Sequence, residues 1–207
     1  MLETVDSTSR QISLQLPAPL SDAELLWFSA HNESLTFEQT AEGLLIVTPP
    51  TGSRGNRGEI TLITQLKIWN DRVNFGEIRG ISGGVLLPKG GQYQADGFAI
   101  SAEAWEEVPE SQRDDGYPPV LPTAAFELIS PANLTSRGYS KEFQIKLDDY
   151  ERSVVPLVVL LHPKTEHAVI KQPGRERETT TAKILTFPEL PGLELDTEAI
   201  YNDCNRK

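Results

Sequence analysis

Apolar residues recur at every second position in some stretches of the chain and at every third or fourth in others, and the changes of period mark out its elements. Ser21-Asp22-Ala23-Glu24 is a capping box, and it predicts a short helix from Ala23 to about His31 with Leu25, Leu26 and Phe28 on its apolar side. Leu35 to Gln39 alternates as a strand does, Ala41-Glu42-Gly43 turns, and Leu44 to Thr48 returns, so a hairpin is expected, stopped by Pro49-Pro50. Thr51 to Gly58 reads as a glycine-rich basic loop. From Glu59 onward, Leu62, Leu66, Trp69 and Val73 recur at helical spacing. Glu77 to Ser82 and Val85 to Leu87 read as strands joined at Gly83-Gly84, and Ala95 to Ile100 as another, followed by a short helix capped by Ser101 and, from Pro109 to Pro122, a polar surface loop or a second short helix around Glu110 to Arg113.

Ala124 to Ser130 is almost continuously apolar, the pattern of a strand at the centre of a sheet, yet it contains Glu127. Ser140 to about Val154 is a helix with Phe143, Leu147, Tyr150 and Val154 as its stripe. Leu157 to Leu161 and Ala168 to Lys171 form a hairpin around the turn Pro163-Lys164-Thr165-Glu166. Gln172 to Thr181 is a polar loop, Leu185 to Leu190 with Leu193 and Leu195 a small apolar patch, and Asp196 to about Tyr201 a terminal helix. Strands outnumber helices and no segment repeats, so the expected fold class is mixed α/β, one domain over residues 12–201 between an N-terminal arm (1–11) and a C-terminal tail (202–207).

Composition narrows this further. At 207 residues and 38% hydrophobic content the chain can bury a sizeable core. No apolar run approaches the ~20 residues of a membrane helix, and Met1 to Arg10 lacks an apolar signal core, so a cytoplasmic protein with no membrane partner is expected. Cys204 is the only cysteine, in a polar stretch, and reads as a plain exposed thiol; the three histidines are scattered, without zinc spacing. Any metal would then be held by oxygen, which favours magnesium, calcium or manganese. The net charge of −11 argues against a broad nucleic-acid surface but leaves room for a local basic groove, for Arg54, Arg57, Arg72 and Arg79 lie near each other in sequence.

The candidate chemistry lies between Gln94 and Tyr150. Asp96 sits near the start of one strand, Glu127 sits within another, and Lys146 is on the helix that follows. A carboxylate in an apolar strand needs a partner or a metal. Glu127 and Ile129 share one strand face, and Lys146 lies beside Phe143, Leu147 and Tyr150, so the helix can fold back and bring the ammonium to the carboxylate. Two carboxylates can hold a magnesium ion, and a nearby lysine could orient a water and stabilise charge on a phosphate. Plainer alternatives stand beside this: Asp96-Gly97 as a turn, Glu127–Lys146 as a structural ion pair, Glu59 as a helix-favouring acid, Glu38 as an exposed strand residue, and the basic loop as a connector.

In these residues the sequence resembles the restriction endonucleases of the Uma-two type, within the PD-(D/E)XK nuclease superfamily. The resemblance runs from about Ile12 to Tyr201. It is carried by Phe37 to Gly52, Asn56-Arg57-Gly58-Glu59-Ile60, Ala95-Asp96-Gly97, Phe126-Glu127-Leu128-Ile129-Ser130-Pro131, Lys146-Leu147-Asp148-Asp149-Tyr150 and Leu190-Pro191-Gly192. It implies a restriction-endonuclease-like core, a mixed β-sheet flanked by helices, preceded by the N-terminal helix and β-hairpin. It implies a magnesium- (or manganese-) dependent endonuclease acting on DNA, with Asp96 and Glu127 as metal ligands, Glu59 assisting and Glu38 as a possible additional acid. The superfamily lysine lies two residues after the glutamate, where this chain has Ile129; the resemblance transfers that role to Lys146. Ala95 stands where the family has proline. Arg54 and Arg57 would then contact phosphates, and a homodimer is expected by analogy with two-fold cutters. The alternative is a catalytically inactive relative that serves as a binding or assembly module.

Overall fold

The structure, a computed structural model, describes residues 11–50, 52–113 and 116–206, apart from the side chains of Ser53 and Arg54. Except for Gln11, the expected N-terminal arm lies outside the described residues. The chain runs through β1 (Ile12–Gln15), α1 (Asp22–His31), β2 (Thr36–Gln39), β3 (Leu44–Thr48) and the long helix α2 (Ser53–Val73). Then come β4 (Gly76–Arg79), β5 (Val85–Leu86), β6 (Gln92–Tyr93), β7 (Gly97–Ser101), α3 (Ala102–Glu106) and β8 (Ala124–Leu128). The two-residue strands β9 (Leu134–Thr135) and β10 (Gly138–Tyr139) lead to α4 (Lys141–Arg152), followed by β11 (Leu157–His162), β12 (His167–Lys171), β13 (Glu178–Thr180), β14 (Ile184–Phe187), β15 (Leu190–Asp196) and α5 (Thr197–Asn205).

Two sheets carry the fold. One has the order β13-β12-β11-β8-β7-β4, the other β1-β3-β2-β6-β5. The fully buried β8 lies inside the first, parallel to β11 and antiparallel to β7. Its alternation divides the core as expected. Phe126 and Leu128 face a cluster with Leu62, Leu66 and Trp69 of α2, the β14–β15 hairpin and Ile200 of α5. Ala125 and Ile129 face the other way, into a cluster with Phe143, Leu147 and Tyr150 of α4 and Val85 and Tyr93 of the second sheet. A third cluster joins Leu25 of α1 to Phe37 and Leu45. Glu127 is therefore on the α4 side, and the second sheet closes over the same side.

Several expectations are corrected. The basic loop over residues 51–58 is helical from Ser53. Its glycines do not break the helix because tertiary packing requires one of them: a Cβ at Gly58 would collide with the Cys204 sulfur and come within 2.9 Å of Leu128 Cδ2. Arg57 donates from Nε to the Asp203 carbonyl at 3.2 Å and from Nη2 to the Arg206 carbonyl at 2.5 Å. It thus satisfies the open C-terminal end of α5, where a cation complements the helix dipole. The terminal helix reaches Asn205, past the expected boundary at Tyr201, and Cys204 is buried rather than exposed. The supposed Gly83-Gly84 hairpin joins two sheets, because β4 pairs with β7 and β5 with β6. Helix α4 stops at Arg152, leaving Val154 exposed at φ +61°, so it is no part of the apolar stripe. The polar loop contains the edge strand β13, and the small apolar patch is the β14–β15 hairpin.

Glycine-to-alanine changes inside helices ordinarily stabilise by about 1 kcal/mol. At Gly58 the sign reverses, since the new methyl must displace packed side chains at a cost of about 1–3 kcal/mol. Urea unfolding of Gly58→Ala should show a lower midpoint than the parent; a higher one would exclude this close α2–α5 contact.

Candidate active site

Four segments bring their side chains together where the sheets approach. Glu38 comes from β2, Asp96 from the turn before β7, Glu127 from the middle of β8 and Lys146 from the second turn of α4. Lys146 does fold back. Its Nζ lies 2.9 Å from Glu38 Oε1, 2.8 Å from Glu127 Oε1 and 2.8 Å from the Gln94 carbonyl oxygen. An ammonium has three hydrogens, and three oxygens surround this one. The side chain is 7% exposed, so the pair is far from solvent screening. Ile129, at the position where the superfamily carries lysine, is a core residue in the α4 cluster.

The remaining contacts fix the acids. Glu38 Oε1 also accepts from the Gln94 backbone N–H at 2.9 Å. Glu127 Oε1 also accepts from the Tyr150 hydroxyl at 2.8 Å. Asp96 Oδ2 accepts from the Leu128 N–H at 2.5 Å, which ties the turn before β7 to the end of β8. Each carboxylate therefore uses one oxygen for its hydrogen bonds within the described residues, and its second oxygen makes none there. Glu38 is buried, which corrects the alternative of an exposed strand residue. Glu59, near the start of α2, is also buried and lines the same cavity. The α5 clamp holds that end of α2: besides the Arg57 bonds, Thr61 Oγ1 donates to Asp203 Oδ2 at 2.6 Å.

A cavity of about 630 Å³ opens over this group. Glu38, Glu59, Asp96, Glu127 and Lys146 all line it, together with Ser130, Asn133 and the exposed Lys164 on the β11–β12 turn. Four carboxylates thus line the cavity with two lysines, Lys146 buried between the glutamates and Lys164 exposed. Burial, with Glu59 nearby, pushes the Asp96 carboxyl up to about 7; the Leu128 N–H pulls the other way. Burial likewise lifts Glu127 to about 7, against the pull of Lys146. Lys146 is the converse: burial opposes its charge, but Glu127 and Glu38 outweigh burial and hold the ammonium above its ordinary range. It is a permanent cation near neutral pH, not a base. Cys204 also lines the cavity, and burial, with Glu59 and Asp203, pushes its thiol up to about 11, so it is no nucleophile.

Among the described residues no group of three or more His, Cys, Asp or Glu side chains is arranged to hold a metal ion by itself. The donor set still suits a hard cation. Magnesium keeps several waters and takes one or two carboxylates with the substrate phosphate completing its shell. Asp96 and Glu127 have an oxygen each to offer and carry charge that burial alone leaves uncompensated.

The site residues expected from sequence are thus mostly together: Asp96, Glu127, Lys146, Glu59 and Glu38 share one cavity. Arg57 does not join them with its charged group, which is committed to α5, and the Arg54 side chain lies outside the described residues. Tyr150 and Lys164 were legible only as an apolar stripe residue and a turn residue. A hydroxyl at the stripe position one turn past Lys146 was the available signal for Tyr150.

Among solved structures the fold is similar to that of a putative nuclease belonging to DUF820 from Anabaena variabilis, with a TM-score of 0.65 and 11% identity over 82% of this chain and 91% of that one. No curated protein matches the chain. Residues 23–198 match the Uma2 family, described as "Putative restriction endonuclease", which spans the hairpin, every acid of the cavity and Lys146. The chain belongs to the Uma2 family.

Proposed function

We propose that the protein is a magnesium- or manganese-dependent endonuclease that hydrolyses phosphodiester bonds in DNA. The observation that carries this is the gathering of Asp96, Glu127 and Glu59 in one cavity, where burial raises the pKa of the Asp96 and Glu127 carboxyls. Family membership and the nuclease description of the similar Anabaena protein support the same class of chemistry. Asp96 and Glu127 would hold the ion through the oxygens their hydrogen bonds leave over, and Glu59 adds negative charge beside Asp96. A bound divalent ion supplies positive charge at the scissile phosphate and eases deprotonation of water.

The chain's own groups do the rest. Lys146 stays protonated, and with its three hydrogens directed at Glu38, Gln94 and Glu127 it keeps the glutamates in place and sets a fixed positive charge under the reacting phosphate. It orients acids first, and a water only if one of those bonds is exchanged. Lys164 is placed to meet a substrate phosphate at the cavity rim. Arg57 directs its guanidinium to the end of α5. Two copies of the chain would supply the two sites that double-strand cleavage needs.

Incubating the protein with supercoiled plasmid and with single-stranded DNA in Mg2+ or Mn2+ should yield nicked or linear products. Asp96→Asn and Glu127→Gln should abolish cleavage, as should chelation of the metal. Metal-dependent cleavage that survives both substitutions would place the activity elsewhere; no cleavage by the parent on any nucleic acid would favour the non-catalytic alternative.

A second outcome follows from charge. Asp96 and Glu127 sit at about 7 when folded and near 4 when unfolded. A carboxyl whose folded pKa is raised favours the folded state when protonated, so this contribution is full below about pH 4 and is lost as pH rises to about 7. Metal-free protein should therefore lose melting temperature between pH 5 and pH 8. Asp96→Asn should restore several degrees at pH 8 and little at pH 5, with each 1 kcal/mol worth about 2–4 °C at this size. Added Mg2+ should stabilise the parent more at pH 8 than at pH 5. A flat pH profile would remove the claim of uncompensated charge.

A further inference from the structure

Helix α4 contributes two side chains to the same carboxylate oxygen. Lys146 and Tyr150 are one turn apart and so lie on one face of the helix. The Lys146 ammonium and the Tyr150 hydroxyl both reach Glu127 Oε1 at 2.8 Å. Tyr150 is fully buried, and its ring is set edge-on to Phe98 at 6.3 Å and to Tyr93 at 5.8 Å. Its hydroxyl therefore has little freedom to point elsewhere. A carboxylate held by two donors on one oxygen cannot rotate without breaking both bonds, and its other oxygen keeps one direction. Loss of a group that orients a metal ligand in this way typically weakens metal binding by about 10–100-fold.

We propose that Tyr150 is a positioning residue for the metal site: with Lys146 it locks Glu127 through Oε1 and presents Oε2 to a divalent cation in the cavity. This rests on the proposed metal-dependent function. It assigns to the α4 tyrosine a role beyond filling the apolar stripe.

Tyr93 provides a matched comparison. It too is a buried tyrosine beside α4, but its hydroxyl donates to Asp149 Oδ2 at 2.5 Å and not to Glu127. Phenylalanine at either position keeps the ring packing and removes one buried hydrogen bond. Mn2+ binding to the parent and to Tyr150→Phe, Tyr93→Phe and Glu127→Gln, measured by the electron paramagnetic resonance of free Mn2+ and by titration calorimetry, tests the proposal. Tyr150→Phe should bind Mn2+ about 10-fold or more weakly. In cleavage, it should need correspondingly more metal for half-maximal rate while approaching the parent rate at saturation. Tyr93→Phe should melt lower but bind Mn2+ as the parent does. If Tyr150→Phe binds like the parent while Glu127→Gln does not bind, the positioning role is overturned and the metal site stands. Equal weakening in both tyrosine variants also overturns it, since that reports general loosening. If the parent itself takes up no Mn2+, the metal site and the positioning role fall together.

Discussion

The ammonium of Lys146 is the contact on which the rest of the site depends. It is almost fully buried, and a buried charge persists only with partners and with its hydrogens satisfied. Its partners come from three places: Glu38 on one sheet, Glu127 on the other, and the Gln94 carbonyl just after β6. One side chain of α4 therefore ties both sheets to the helix. Removing one member of a buried pair costs about 3–5 kcal/mol, mostly because the other charge is left uncompensated. Here the loss would leave Glu38 and Glu127 facing each other.

The same arrangement leaves the site electrostatically incomplete. Lys146 is nearer to Glu38 and Glu127 than to Asp96, which has one backbone N–H and the nearby charge of Glu59. Folding buries Asp96 and Glu127 beside other carboxylates, and their raised pKa records that cost. Carboxyls whose pKa burial perturbs, gathered in a cavity, make a candidate functional site. The packing of α5 against the start of α2 belongs to the same design. Arg57, Thr61 and the close approach at Gly58 fix the end of α2 that carries Glu59. Arg57, one of the two arginines expected at phosphates, braces the end of α2 through its bonds to α5.

How far the fold could be read from sequence depended on where each element lies. The β8 strand announced itself because both its faces are buried, and α4 because it buries a single stripe. The capping box at Ser21 opened α1 as expected, both reciprocal bonds forming. The edge strands β1 and β13 escaped because an edge strand is held by backbone bonds to its neighbour, and exposed side chains carry no period. The start of α2 was misread because Gly55, Asn56 and Gly58 look like loop residues, and only the contact with α5, distant in sequence, explains a glycine there.

The site divides in the same way. Sequence alone determined that Glu127 sits in a central strand on the face opposite Phe126 and Leu128, that Asp96 lies at the start of another strand segment, and that Lys146 goes with the apolar stripe of its helix; periodicity decides these, since it is a local property of the backbone. Only the tertiary structure decided that Glu38 is buried opposite Glu127, that Tyr150 shares its oxygen, that Arg57 turns to α5 and that Cys204 is enclosed. Those facts are meetings between segments up to about 150 residues apart. No local pattern encodes them, because which faces come together is fixed by how two sheets and their helices exclude water from a common interior.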